Sequence, residues 1–168
     1  MDVRYINPFV RSICNTFETM CHLKVGIGKP QLKTSDDPAS DVSGVIGFSG
    51  DAAGSVVLHF DFDVASKIAT AFAGTEITKD HPDFADAIGE LANMIAGGAK
   101  AQFEGLSIGI SLPNVIIGPN HNVSASKSSP RIVLPCRTEA GEFFVEVGME
   151  LSKRPSGQTS AAVTGAAT

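Results

Sequence analysis

Apolar residues recur at two different spacings in this chain of 168 residues, and the order in which the spacings alternate restricts the fold. Steps of three and four residues place an apolar stripe on a helix, whereas alternation and short β-branched runs indicate strands. The helical spacing predicts helices over about Asn7–Cys21, Val64–Phe72 and Pro82–Glu104. The strand spacing predicts five strands, of which the first two form a hairpin around the turn at 49–54: Val42–Phe48, Ser55–Phe62, Leu106–Ile117, Arg131–Arg137 and Glu142–Leu151.

The predicted order of helix, strands, helix, helix and strands indicates an α+β fold in which helices pack on a largely antiparallel sheet. The length fits one domain, which we assign to residues 1–151. Residues 152–168 lack aromatic residues and periodicity, so we expect a flexible C-terminal tail. A helix followed by a hairpin occurs in both halves, which hints at a pseudo-repeat.

Charge and composition exclude several classes of function. The formal net charge is -5 and the 13 Lys and Arg residues are scattered, so nucleic acid is not an expected partner. No apolar run approaches the roughly 18 residues that a membrane-spanning helix needs, and we expect a cytoplasmic protein without membrane contact. The four histidines form no HxH or HxxxH pattern, and the three cysteines have no CxxC spacing, so the sequence indicates no metal site and no structural disulfide.

The third helix has two faces of different character. Its apolar face holds Phe84, Ile88, Leu91 and Ile95, and its polar face holds Asp86, Glu90, Asn93, Gly97 and Lys100. Glu and Asn three residues apart on a wet helix are, in most proteins, ordinary solvated side chains. However, Asn is a poor helix former, and Gly97 and Gly98 each cost about 1 kcal/mol relative to Ala inside a helix. The close approach of a partner's backbone would explain both features.

The stretch Gly89–Lys100, with its Glu-x-x-Asn spacing, resembles the active-site helix of the CheC, CheX and FliY phosphatases of bacterial chemotaxis. The first helix, from Asn7-Pro8-Phe9-Val10 to Met20, is similar to that of CheX in particular. The segments Gly54–Leu58 and Phe143–Val147 also fit the family, and the resemblance spans about residues 4–151. At the corresponding place on the first helix the chain reads Ser12-Ile13-Cys14-Asn15, which lacks the acid, so one working site is implied.

This resemblance implies a phosphatase that hydrolyses the aspartyl phosphate of a CheY-like response regulator. Asn93 would position the attacking water and Glu90 would dock the phosphorylated receiver. The protein would have no cofactor of its own, because the Mg²⁺ belongs to the receiver. Asp86, Gly97 and Lys100 would be partner-binding positions, with plain surface as the alternative for Asp86 and Lys100. A homodimer joined edge to edge through the sheets is implied as well.

Two other classes of function stay open. The same fold could serve as a catalytically silent binding module in a signalling or flagellar complex, although a pure adaptor has no need of both Glu90 and Asn93. A small-molecule sensor is the third alternative, but no polar constellation in the sequence supports it.

Overall fold

The computed structural model describes residues 3–35, 37–124 and 130–152. Three helices cover a sheet of eight strands, which confirms the predicted α+β class. The helices are α1 (Val3–Thr16), α2 (Phe62–Ala73) and α3 (Phe84–Lys100), and a π-helical turn (Phe17–Cys21) continues α1. The strands are β1 (Gly26–Ile27), β2 (Gln31–Leu32), β3 (Ser40–Gly50), β4 (Ala52–Phe60), β5 (Ile108–Ile110), β6 (Asn114–His121), β7 (Ile132–Thr138) and β8 (Gly141–Leu151).

Two antiparallel hairpins, β3–β4 and β7–β8, form the centre of the sheet. They are joined through β4 and β8, which pair antiparallel with Val56 opposite Val147. Along the sheet the strands follow the order β1, β7, β8, β4, β3, β5, while β2 also pairs with β7 and β6 also pairs with β3. Each half therefore contributes one hairpin, which agrees with the repeated layout seen in the sequence. The outer strands beside each hairpin come from the other half, since β5 and β6 pair with β3 and β1 and β2 pair with β7.

The core lies between the helices and one face of the sheet. Alternate residues of the central strands point towards the helices, because successive side chains of a strand lie on opposite faces. The stacked rings of Phe17 and Phe143, with centroids 5.0 Å apart, join the end of α1 to β8. No helix in the described part of the chain is long and apolar enough to cross a membrane.

Local capping residues set the ends of α2, which is longer than the predicted Val64–Phe72. The Asp61 side chain accepts a hydrogen bond of 2.7 Å from the backbone N–H of Val64, which satisfies a donor that the first turn leaves free. Gly74 ends the helix in the left-handed conformation, with φ of 71°.

Several predicted boundaries differ from the observed ones. Helix α3 spans Phe84–Lys100 rather than Pro82–Glu104, and the turn predicted over 49–54 is taken up by β3 and β4 except at Asp51. Helix α1 begins at Val3 rather than Asn7, because the buried Pro8 lies inside the helix and not in its first turn. The long strand predicted over Leu106–Ile117 is interrupted before Pro113, and its two parts, β5 and β6, pair with successive stretches of β3. At the break, the Ser111 hydroxyl accepts a hydrogen bond of 2.9 Å from the Gly47 N–H, so a side chain takes the place of a ladder carbonyl.

Some features lie beyond the sequence pattern or beyond the described residues. Strands β1 and β2 have two residues each, too few for alternation to indicate them. Of the predicted tail, 152–168, only Ser152 is described, and its hydroxyl donates a hydrogen bond of 2.6 Å to the Gly50 carbonyl. The rest of that prediction lies outside the described residues.

Candidate functional site

Helix α3 carries the predicted site on the side that faces away from the sheet. Its opposite side is buried through Phe84, Ile88, Leu91 and Ile95, as the periodicity predicts. A Cβ on Gly44 of β3 would lie 3.2 Å from the Cβ of Ala92, so the missing side chain lets α3 lie close to the sheet. This close packing fixes the distance between α3 and the sheet, and with it the position of the outer side of α3.

The outer side of α3 is a polar strip. Asp86, Glu90 and Lys100 are exposed along it, and Asn93 and Gly97 are half-buried. The structure thus brings together all five residues that the sequence placed on this side of the helix. We call this set the polar strip.

Glu90 and Asn93 lie at the middle of the polar strip, three residues apart and so side by side on the helix. Within the described residues, neither side chain makes a hydrogen bond or an ion pair. A carboxylate offers only acceptors, whereas an amide offers a donor and an acceptor at one end of a short arm. The pair is therefore free to bind groups of another molecule, including a water.

The two glycines that follow Asn93 have different roles. A Cβ on Gly98 would lie 2.4 Å from the Ser12 hydroxyl of α1, so Gly98 is needed for contact within the molecule. A Cβ on Gly97 would meet nothing within 4 Å. The expectation that both glycines admit a partner is therefore wrong for Gly98 and stays a prediction for Gly97.

Helix α1 supports α3 at the same point. The buried Ser12 hydroxyl donates a hydrogen bond of 2.7 Å to the Ile95 carbonyl in the middle of α3. Ser12 stands where a second site would have its acid, and it is used instead to lock the two helices together. Asn15 is exposed on α1 without such an acid beside it.

A second polar cluster, which sequence reasoning missed, lies on the opposite face of the sheet. His59 of β4 is bonded through Nε2 to the Glu146 carboxylate at 3.2 Å and through Nδ1 to the hydroxyls of Ser40 and Ser43 at 2.9 and 3.0 Å. Because a carboxylate only accepts, Nε2 carries the proton and Nδ1 accepts. The Ser43 hydroxyl also lies 2.8 Å from Nε2 of His121.

Two cations complete this cluster, which we call the back-face network. Glu146 is fully buried and accepts hydrogen bonds from Lys33 Nζ at 2.6 Å and from Arg131 Nε. The Arg131 guanidinium continues to the Ser55 hydroxyl at 2.9 Å. A Cβ on Gly148 would lie 2.7 Å from Arg131 Nη1, so the glycine leaves room for this arginine to cross β8.

The surroundings of the network shift two pKa values. Burial alone would raise the pKa of Glu146, but hydrogen bonds from His59 and Lys33 and the charges of Arg131 and Lys33 outweigh it and lower the pKa to about 2. Burial lowers the pKa of His59 from 6.5, and this effect exceeds the opposing attraction of Glu146. At neutral pH the network therefore holds an ionised carboxylate and a neutral imidazole.

A sequence signal for this network does exist. Glu146 interrupts an apolar strand between Val145 and Val147, and His59 lies between Leu58 and Phe60 in the same way. Alternation assigns both side chains to the face away from the helices, where solvent would be expected. The burial of that face depends on chain segments far away in sequence, such as the one that carries Lys33.

In the residues that the structure describes, no three His, Cys, Asp or Glu side chains are grouped as ligands for a metal ion. The polar strip itself offers Asp86 and Glu90 as its only carboxylates. Its chemistry thus rests on one carboxylate and one amide side by side.

Comparison with known proteins gives consistent results. Residues 42–137 match the family model described as chemotaxis phosphatase CheX. The CheY-P phosphatase CheX of Thermotoga maritima is 30% identical over 121 residues, which cover 70% of this chain and 78% of that protein.

Solved structures extend the likeness to nearly the whole domain. A CheC-like superfamily protein from Shewanella sp. PV-4 superposes with a TM-score of 0.81 at 31% identity, covering 89% of this chain and 99% of that one. The chemotaxis protein CheX from Desulfovibrio desulfuricans superposes with a TM-score of 0.79 at 34% identity, covering 88% and 99%.

Proposed function

The chain belongs to the CheX family of chemotaxis phosphatases, and we propose that it hydrolyses the aspartyl phosphate of a CheY-like receiver domain. The observation that carries the proposal is the position of Glu90 and Asn93, which stand together on the exposed side of α3 with no partner among the described residues. The relative from T. maritima, a CheY-P phosphatase, supports the choice of substrate.

Asn93 is proposed to hold the attacking water. The water oxygen attacks phosphorus, the bond from phosphorus to the aspartyl oxygen breaks, and the receiver's carboxylate and inorganic phosphate are released. An amide is too weak a base to remove the proton, so Asn93 contributes by placing the water in line with the leaving oxygen. A half-buried amide on a helix suits this role, because the asparagine side chain is short and the helix backbone that carries it is rigid.

Glu90 is proposed to dock the receiver. Its exposed carboxylate would accept a charge-assisted hydrogen bond from a lysine beside the phosphoryl group, which sets the register of the two proteins. Because Asn93 lies one turn away on the same side, this contact would bring the amide to the phosphoryl group.

The remaining positions of the polar strip are proposed to complete the contact. Asp86 and Lys100 would form its rim, and Gly97, which has open space above it, would let the receiver's backbone approach. The Mg²⁺ for the reaction would be supplied by the receiver. Since a response regulator is a cytoplasmic substrate, the same compartment is proposed for this protein.

The rival function is a binding module that has lost hydrolysis. It would need the docking carboxylate of Glu90 but not the amide of Asn93. The presence of both side chains, free and side by side, favours the enzyme.

We also propose a homodimer joined through β6. The closing strand β8, with Phe143 and Val147, is not the edge, because it pairs with β4 on one side and β7 on the other. Strand β6 pairs with β3 alone among the described strands, and it exposes 40% of Ile116 and 46% of Ile117. An apolar edge strand with unpaired backbone groups is stabilised when a second copy covers it.

The proposed activity is tested by phosphate release from a phosphorylated, Mg²⁺-loaded CheY-like receiver. We expect the wild-type chain to accelerate release and Asn93→Ala to lose about a hundredfold in kcat, which corresponds to about 2.7 kcal/mol of barrier. Binding of the receiver should be nearly unchanged, because the amide acts on the water.

Asn15→Ala, which removes the exposed asparagine of α1, is the matched control and should keep full activity. Undiminished turnover by Asn93→Ala would remove the proposed role of that residue. Binding of the receiver without any release by the wild type would favour the silent module.

A further inference from the structure

A groove runs beside Glu90 and is not explained by the two proposed catalytic side chains. It lies between the first half of α3, the end of α2 with the loop that follows it, and the segment that leads into β6. Its volume is about 860 Å³. Glu90 and Asp86 belong both to the groove and to the polar strip, so the two surfaces are continuous.

The floor and the rim of the groove differ in chemistry. Phe72, Ile77 and Val115 form an apolar floor, of which Ile77 is 3% exposed. The rim carries the carboxylates of Asp83, Asp86 and Glu90, and none of the described residues that line the groove is a lysine or an arginine. His81 lies beside this rim but does not line the groove, and its Nδ1 accepts a hydrogen bond of 3.1 Å from the Asp83 N–H.

An exposed leucine stands at the edge of this groove. Leu112 is 86% exposed. It directly precedes Pro113, which lines the groove. Isolated exposed apolar residues are common, but this leucine is next in the chain to a residue that lines the groove. We therefore use Leu112 as the exposed apolar position with which to test contact at this end of the groove.

We propose that this groove is a second docking site for the receiver, and that it takes an apolar side chain flanked by basic groups on the receiver's surface next to its phosphorylation site. This inference rests on the proposed function, and it identifies a further surface by which the phosphatase would recognise its substrate. The acidic rim selects a basic partner, and the apolar floor supplies contact that a solvent-screened Glu90–lysine pair provides only weakly. Two contacts on different elements also fix the angle of approach, which in-line attack requires.

The test uses Leu112→Ser, which removes apolar contact without disturbing the core. For the phosphorylated receiver, we expect KM to rise about tenfold with kcat within twofold of wild type, because the groove binds substrate without touching the reacting atoms. Leu32→Ser is the matched control, since Leu32 is 62% exposed on β2, far from the groove. Its KM and kcat should both be unchanged.

The rim is tested by Asp86→Asn, which should raise KM about threefold at low salt and less at high salt, since a screened charge is lost. Binding to a receiver carrying BeF₃⁻, a stable mimic of the phosphoryl group, is measured alongside. If the wild type binds or hydrolyses and Leu112→Ser matches it in both assays, the groove proposal is overturned while the phosphatase stands. If the wild type neither binds nor hydrolyses, both proposals fall.

Discussion

The two faces of the sheet use polar residues in opposite ways. On the helix side, Glu90 and Asn93 are accessible and have no partners within the described residues, whereas on the other side Glu146 and His59 are buried and bonded to several groups. Buried polar groups must be paired inside the molecule, because an unpaired one costs its full desolvation energy. The back-face network therefore stabilises the fold, whereas Glu90 and Asn93 on the polar strip are accessible to another molecule.

The difference extends to charge. Glu146 lies between Lys33 and Arg131, so its charge is balanced within the domain. Asp83, Asp86 and Glu90 line one groove with no basic residue among its described lining. A cluster whose charges are paired within the domain fits a structural role. A surface whose carboxylates have no basic residue beside them favours binding of basic groups from another molecule.

Of the variants that test this difference between the two faces, Glu146→Ala should have the largest effect on stability. We expect a loss of up to about 3–5 kcal/mol in the free energy of unfolding, because the half-buried cations Lys33 and Arg131 would be left without their carboxylate. The measurement is urea unfolding followed by circular dichroism.

The matched controls are carboxylates of two other kinds. Glu142→Ala, which removes an exposed pair with Arg137, should cost no more than about 1 kcal/mol. Glu90→Ala should change stability by less than about 0.5 kcal/mol. If Glu146→Ala and Glu90→Ala lost equal free energy of unfolding, Glu146 would not stabilise the fold more than an exposed carboxylate does.

Acid should reveal the same network without a mutation. The pKa of Glu146 is about 2 in the folded protein and 4.5 in the unfolded chain, so the unfolded state takes up the proton first as the pH falls. The stabilisation is complete above pH 4.5 and is lost as the pH falls towards 2, by about 3 kcal/mol in all. His59 acts in the same direction from pH 6.5 downwards, since its folded pKa is also lowered.

Urea midpoints measured between pH 7 and pH 3 check this dependence. Glu146→Gln, which has no carboxylate to protonate, should show a much flatter curve below pH 4.5. An identical curve for the two proteins would rule out Glu146 as the source.

A smaller effect separates two neighbours on α3. Gly98→Ala should cost about 1–3 kcal/mol, because its Cβ would overlap the Ser12 hydroxyl. Gly97→Ala should instead stabilise the fold by up to about 1 kcal/mol, because Ala is the better helix former and the new methyl meets nothing. Thermal unfolding compares the two variants.

The Gly97 variant also tests the proposed docking of the receiver. If Gly97 admits the receiver's backbone, Gly97→Ala should raise KM in the phosphate-release assay although the protein itself is more stable. A stabilised variant with unchanged KM would assign Gly97 no part in docking.

The sequence predicted the side of α3 on which Glu90 and Asn93 lie but not the back-face network, and the reason is physical. The exposure of Glu90 and Asn93 follows from the period of one helix, which local residues determine. The burial of Glu146 depends on Lys33 and His59, which are 113 and 87 residues away in the chain. Such contacts leave no periodic trace.

The errors in element boundaries have local causes. The apolar spacing predicted a first helix from Asn7, but α1 begins at Val3 and contains the buried Pro8. Pro113 marks the real break in a run that reads as one strand, because β-branched residues continue on both sides of it. The family resemblance, rather than periodicity, supplied the substrate.

The place of β8 between β4 and β7 has a consequence for how the protein is made. Neither hairpin can complete its pairing until residues 141–151 have left the ribosome, although α3 and the strands beneath it emerge earlier. During synthesis, β4 therefore exposes an open edge while α3 is already present. Assembly of the sheet of this phosphatase therefore depends on the pairing of β8 with strands that are made earlier.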